Sequence, residues 1–232
     1  ALPILGNGAA INASTIGSGR GGDININATD AVEISANPAD IDGADGIFTS
    51  TVGSGDAGDL SLRTQRLSVR NGGVVSASTG NTGRGGSVNI NASESVEVVG
   101  ISKDGRQPSR LLVSSRGSGA AGNITVNSPR INIEDLGEVN AQSNAVDGGD
   151  INLKNVNILS LRRGGNISAT AGANQNSGNG GNINIDADFI IAVPNENSDI
   201  TANAFSGRGG NIEIITQGIF GIQERAIASP QT

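Results

Sequence analysis

Apolar and polar residues alternate in short bursts along this chain, and the bursts recur. Ile24-Asn25-Ile26, Leu60-Ser61-Leu62, Val88-Asn89-Ile90, Ile124-Thr125-Val126, Ile151-Asn152-Leu153, Ile183-Asn184-Ile185 and Ile212-Glu213-Ile214 place an apolar side chain at every second position. A second set follows: Val32-Glu33-Ile34, Leu67-Ser68-Val69, Val96-Glu97-Val98, Ile131-Asn132-Ile133, Val156-Asn157-Ile158, Phe189-Ile190-Ile191 and Ile219-Phe220-Gly221-Ile222. A third carries smaller residues, as in Ile11-Asn12-Ala13, Val75-Ser76-Ala77, Val139-Asn140-Ala141, Ile167-Ser168-Ala169 and Ile200-Thr201-Ala202. A period of two with β-branched residues predicts strands that each bury one face. No segment sustains the 3.6-residue period of an amphipathic helix, so helices should be nearly absent.

A glycine phrase sets the frame for these bursts. Gly19-Arg20-Gly21-Gly22-Asp23 returns as Gly83-Arg84-Gly85-Gly86-Ser87, Gly178-Asn179-Gly180-Gly181-Asn182 and Gly207-Arg208-Gly209-Gly210-Asn211, with looser versions between. Its last glycine falls at 22, 58, 86, 122, 149, 181 and 210, so the steps are 36, 28, 36, 27, 32 and 29 residues. Seven such units with three short strands each predict an all-β fold, a single-stranded parallel β-helix in one domain over residues 1–232. Equivalent residues of successive units would form inward columns with a rise of ~4.8 Å, giving a shaft of about 34 Å. Residues 36–46, 100–110 and 171–179 are the longer excursions, expected as surface loops.

Composition narrows the chemistry. Of 232 residues 36 are Gly, and Cys, His, Met, Trp and Tyr are absent. Thiolate and imidazole chemistry are therefore excluded, which leaves no Ser-His-Asp triad and no Cys–His metal site. The formal charge of −7 and the lack of aromatics beyond four Phe argue against nucleic acid. No apolar run approaches the ~18 residues that a membrane helix needs. The chain opens Ala1-Leu2-Pro3 without Met, and reads as a processed or excised stretch of a longer protein.

Four motifs deserve weighing against plainer roles. The glycine phrase looks like a phosphate loop, but a strand follows it where a dinucleotide site needs a helix; positive φ and close backbone approach at a corner explain the glycines better. Arg20, Arg84 and Arg208 recur at one corner and should pair with acids of neighbouring units. The Asx or Ser that follows (Asp23, Asp59, Ser87, Asn123, Asp150, Asn182, Asn211) evokes a calcium-binding nonapeptide, which requires tandem nine-residue spacing that is missing here. Carboxylates cluster at Asp40, Asp42 and Asp45, at Glu94 and Glu97, and at Asp186 and Asp188. Paired acids can cleave glycosides, yet these lie in different units without aromatic sugar platforms. Ion binding by loops 36–46 or 100–110 is left open. The outward Asn12, Ser14, Ser76, Ser78, Ser168, Thr170, Thr201 and Asn203 should form a flat, solvated face.

One stretch carries a family resemblance. Asn182-Ile183-Asn184-Ile185-Asp186-Ala187-Asp188-Phe189, then Val193-Pro194-Asn195-Glu196-Asn197-Ser198-Asp199-Ile200-Thr201-Ala202-Asn203-Ala204, Gly207-Arg208-Gly209-Gly210-Asn211-Ile212 and Gln217-Gly218-Ile219-Phe220-Gly221-Ile222, resembles the repeat region of filamentous-haemagglutinin-like exoproteins. The similarity is greatest to the haemagglutination-domain proteins of cyanobacteria exported by two-partner secretion, and it extends over nearly the whole chain. It implies a right-handed β-helix, an extracellular or outer-surface location, and a role in adhesion, aggregation or surface fibres. It transfers no catalytic residue.

The expectation is a structural and adhesive module: no enzyme, with no catalytic, cofactor-binding or metal site and no cofactor. Neither Ala1–Gly8 nor Ala226–Thr232 resembles a capping helix, so the end units should abut flanking repeats or another copy, end to end. A cell-surface glycan or polysaccharide is the expected ligand class, with neither nucleic acid nor membrane insertion. The alternative is a carbohydrate-binding or polysaccharide-cleaving β-helix; a fibre subunit without any ligand is the third reading.

Overall fold

The computed structural model describes residues 4–5, 9–36, 45–144, 146–172 and 178–222. Every regular element among them is a strand. In chain order these are β1 (Ile4–Leu5), β2 (Ala10–Asn12), β3 (Ile24–Asn27), β4 (Ala31–Ser35), β5 (Gly46–Phe48), β6 (Leu60–Arg70) and β7 (Val74–Thr79). There follow β8 (Val88–Val99), β9 (Arg110–Ser115), β10 (Ile124–Asn127), β11 (Arg130–Glu134) and β12 (Glu138–Ser143). The last are β13 (Ile151–Arg162), β14 (Asn166–Ser168), β15 (Ile183–Ala192), β16 (Asp199–Thr201) and β17 (Ile212–Phe220).

These strands form two sheets in which every pairing is parallel and joins neighbouring units. The larger sheet runs β1-β4-β6-β8-β10-β13-β15-β17, with β3 beside β6 and β11 between β8 and β13; the smaller runs β16-β14-β12-β9-β7-β5-β2. The register aligns the first bursts column by column: Ile24 opposes Leu60, Leu60 opposes Val88, Val88 opposes Ile124, Ile124 opposes Ile151, Ile151 opposes Ile183 and Ile183 opposes Ile212. Leu60, Val88, Ile124, Ile151 and Ile183 are fully buried. A one-residue slip would turn such a column to solvent, so the apolar period itself locks the register. Inward faces of both sheets, including Ala77, Ala141 and Ala169 of the smaller one, pool into one core.

Two expectations change. Three separate strands form in two units, as β3, β4 and β5 and as β10, β11 and β12, whereas in β6, β8, β13, β15 and β17 the first two bursts run on as one strand. The alternation slips where the bursts join, since Leu60, Leu62 and Thr64 are buried and the next buried pair is Leu67 and Val69. A register shift between Thr64 and Arg66 marks the slip, as a bulge that re-aims the side chains so both halves face the core. Small residues occupy the bend, namely Ala28, Thr64, Ala92, Ser128 and Ala187, and the Thr64 and Ser128 hydroxyls donate to the carbonyls of Arg66 and Arg130 two residues on. The second change lies in β13. Ile131 pairs with Leu159, not Val156, so Leu159-Ser160-Leu161 is the true second burst there. Lys154-Asn155 supplies the extra length, with Asn155 at φ 54°.

Candidate functional site

The glycine phrase forms a corner where the backbones of neighbouring units nearly touch. A Cβ on Gly58, Gly86, Gly122, Gly149, Gly181 or Gly210 would lie 1.7–2.1 Å from the carbonyl oxygen of the equivalent glycine in the preceding unit. None of these six has the positive φ expected from sequence. Close approach alone requires glycine here. Buried hydroxyls from the smaller sheet satisfy the corner: Thr49 Oγ1 donates to the Gly58 carbonyl at 2.7 Å and Thr51 Oγ1 to the Asp56 carbonyl at 2.8 Å. Ser115 and Ser143 reach the Gly83 and Gly119 carbonyls at 3.4 and 3.3 Å.

The Asx position after the glycines is a ladder, with no ion required. Asp59 N–H donates to Asp23 Oδ1 at 2.7 Å, Ser87 N–H to Asp59 Oδ1 at 2.8 Å, and Asp150 N–H to Asn123 Oδ1 at 2.8 Å. The series continues from Asn182 N–H to Asp150 Oδ1 at 2.8 Å and from Asn211 N–H to Asn182 Oδ1 at 3.0 Å. Asp and Asn interchange because both present an oxygen at the same reach, whereas Ser87 is too short to serve Asn123 in this way. A parallel ladder runs through Asp56, Asp147 and Asn179, which accept from Arg84, Asn179 and Arg208 N–H groups. The partner of each side chain lies one unit away, 27 to 36 residues along the chain.

The charged residues are likewise used between units. Arg20 meets Asp59 of the next unit at 3.2 Å and its own Asp23 at 2.8 Å, as expected, whereas Arg84 and Arg208 form no ion pair among the described residues. Arg66 joins Asp30 of one neighbouring unit and Glu94 of the other, and Arg70 pairs with Glu97. Arg162 grips Glu196 with two bonds of 2.6 and 2.9 Å, which holds that carboxyl at about 2, well below its ordinary value. Arg163 joins Glu134 and Asp135, and its guanidinium lowers the pKa of Asp135.

Among the described residues, the acids that cluster in the sequence are directed to different partners. Asp40 and Asp42 lie outside the described residues, while Asp45 is buried beside β5. Glu94 and Glu97 face different arginines, and Asp188 accepts from Gln217 at 2.9 Å. In the 100–110 excursion, Asp104 accepts from Ser102 Oγ and the Arg106 N–H, which lowers its pKa. No group of three or more carboxylates among the described residues is placed to hold a metal ion. No helix among them is long and apolar enough to cross a membrane.

The polar face of the smaller sheet is exposed at Asn12, Ser14 and Asn203, as expected, but not throughout. Ser76 and Ser168 are buried, as is Leu112 between them, and their hydroxyls bond along the strand to Ser78 at 2.8 Å and Thr170 at 2.7 Å. A different surface feature, not anticipated, follows the bend of the larger sheet. It is a shallow trough of about 560 Å³ lined by Asn27, Arg63, Gln65, Asn91, Asn127 and Asn155. Asn127 Nδ2 bonds Asn91 Oδ1 at 3.3 Å and Asn155 Nδ2 bonds Asn127 Oδ1 at 2.9 Å. The Asn27, Asn91 and Asn127 positions sit at the ends of the first bursts, a recurrence that the sequence could have revealed.

No family model, curated protein or solved structure matches this chain.

Proposed function

We propose that the chain is a single-stranded parallel β-helix of seven stacked units, and that it is a non-catalytic structural and adhesive module of an extracellular surface fibre. The parallel register of equivalent residues one unit apart supports the helical reading. One observation supports the function: many of the carboxylates that could do chemistry are engaged in joining one unit to the next. Asp23, Asp59, Asp150 and Glu196 each accept hydrogen bonds from a neighbouring unit. A carboxylate held in this way is a poor general acid, and the lowered pKa of Glu196 moves opposite to the rise such a role needs.

A second reading is glycan binding, favoured by the amide-lined trough, whose side chains repeat at the strand spacing and offer donors and acceptors to a linear polysaccharide. Screening the chain against a glycan array and against polysaccharide depolymerisation tests both readings. The adhesive module binds cell surfaces or glycans without releasing reducing sugar. Catalytic release would overturn the non-enzymatic assignment, and loss of glycan binding on Asn91→Ala with Asn127→Ala would place the contact in the trough.

A further inference from the structure

The trough at the bend of the larger sheet has a sign as well as a shape. One column of it runs Asn27, Arg63, Asn91, Asn127 and Lys154, each the register partner of the next. Arg63, Asn91 and Asn127 stand on β6, β8 and β10, which are paired with a strand on either side. Arg63 lines the trough, is exposed, and forms no ion pair among the described residues. No carboxylate is among the lining residues. The acids nearest to them in sequence, Asp30 and Glu94, are both taken up by Arg66. In a chain of net charge −7 this leaves a local strip of the opposite sign.

The amides reinforce that sign. Asn155 Nδ2 donates to Asn127 Oδ1 at 2.9 Å, and Asn127 Nδ2 to Asn91 Oδ1 at 3.3 Å. Both bonds point the same way, so the amide dipoles add and the donor end of the row falls at Asn91. Asn91 Nδ2 has no partner among the described residues, and it is directed away from Asn127, toward the unit of Arg63. A side-chain amide carries two donor hydrogens; the row uses one on Asn127, one on Asn155 and neither on Asn91. The Gln65 amide is without a partner among the described residues as well. The trough therefore offers spare N–H donors beside an unpaired guanidinium. Small Ala28 and Ala92 at the bend leave it open.

Resting on the glycan-binding reading above, we infer that the trough takes an acidic linear polysaccharide laid along the stacking axis, with a carboxylate or sulfate group held by Arg63 and Asn91. Charged oxygens accept stronger hydrogen bonds than sugar hydroxyls do, and the guanidinium fork matches their paired geometry. Successive rungs are ~4.8 Å apart, comparable to the advance of one sugar in an extended chain, so Asn127 and Asn155 meet the residues that follow. Lys154, exposed and without an ion pair among the described residues, stands three rungs from Arg63, roughly 14 Å by the strand spacing. It offers a second cation. Beyond it, Asp186 and Glu213 line a smaller depression of about 220 Å³, and their charges end the site there. A single-stranded nucleic acid would need stacking surfaces, and no Phe lines the trough.

Cellulose derivatives that share one backbone separate charge from sugar. Binding of the whole chain to carboxymethyl cellulose, cellulose sulfate and neutral hydroxyethyl cellulose is measured by biolayer interferometry, with alginate as a uronate and oligothymidylate as a polyanion without sugar hydroxyl rows. The acidic glycans should bind and hydroxyethyl cellulose should not; preference for the carboxymethyl or the sulfated polymer identifies the anion. Arg63→Gln should weaken binding about tenfold, with Arg63→Lys retaining more of it, and Asn91→Ala should weaken it about fivefold. Arg84→Gln, at the glycine corner, should leave it unchanged. Circular dichroism and the unfolding midpoint should stay with the parent, because Arg63 and Asn91 are exposed. Equal affinity for hydroxyethyl cellulose, or acidic-glycan binding indifferent to Arg63→Gln, would overturn the assignment while leaving glycan binding itself intact. Oligothymidylate held as tightly as the acidic glycans would overturn it too, reducing the strip to a general polyanion surface. Silence of every polymer together with a silent glycan array would instead sink the glycan-binding reading.

Discussion

The interior units and the final unit share a sequence pattern but not an environment. Ile151 and Ile183 are fully buried with a strand on either side, whereas Ile212, in the same column, is paired among the described residues only with Ile183 and is 41 % exposed. Asp150 both receives and passes on the ladder, accepting from Asn182 while its own N–H reaches Asn123; Asn211 donates to Asn182, and no described residue donates to its side chain. The same residue types are therefore worth different amounts according to their neighbours on the axis. In an array of this kind stability is close to a sum of unit and interface terms, and an end unit has one interface fewer.

The largest way to break this comparison is steric. Gly149→Ala would place a Cβ 1.7 Å from the Gly122 carbonyl oxygen and should cost more than about 3 kcal/mol. The equivalent Gly22→Ala at the first unit should cost less than about 1 kcal/mol, because only small adjustments against Ala13 are needed. Urea unfolding of both variants measures the contrast, and equal losses would refute it. Next in size is the apolar column. Ile151→Ala should lose ~2–5 kcal/mol as a fully buried side chain, and Ile212→Ala under about 1.5 kcal/mol.

The ladder should show a smaller difference of the same sense. Asp150→Ala removes the acceptor for Asn182 N–H and should cost about 0.5–1.5 kcal/mol, while Asn211→Ala should leave the unfolding midpoint of the monomer unchanged. Smallest is the acid response of the Arg162–Glu196 pair. The Glu196 carboxyl is lowered to about 2 in the folded chain from an ordinary 4.5. Its contribution is thus present above the ordinary value and is lost as pH falls from about 4.5 towards about 2. Thermal melts over that range should differ between the parent and Glu196→Gln, with the two curves converging at the acid end.

How far the sequence could be read depended on whether the partner of a residue was local. Alternation of Ile24 with Ile26, or Leu60 with Leu62, identifies strands because each residue declares its own face. The glycine phrase likewise marks the unit, and Arg20 finds the acid in the next unit that its corner position suggested. Val156-Asn157-Ile158 alternates like a second burst, but β13 carries an extra residue that Asn155 absorbs at positive φ, so Leu159-Ser160-Leu161 takes that place. Ser76 and Ser168 were expected in water since hydroxyls usually are, yet their hydroxyls bond along the strand and the side chains are shielded.

By itself the sequence determined the strands, the repeat and the inward columns, since all three follow from the hydrophobic period and the glycine spacing. Only the tertiary structure decided that the units pair into two parallel sheets, that the first two bursts usually fuse into one strand, and that the corner glycines answer to carbonyls rather than to positive φ. The physical reason is distance along the chain. A period can be read from neighbours two residues apart, but a Cβ that would strike an oxygen 27 to 36 residues away leaves no local trace beyond the glycine itself.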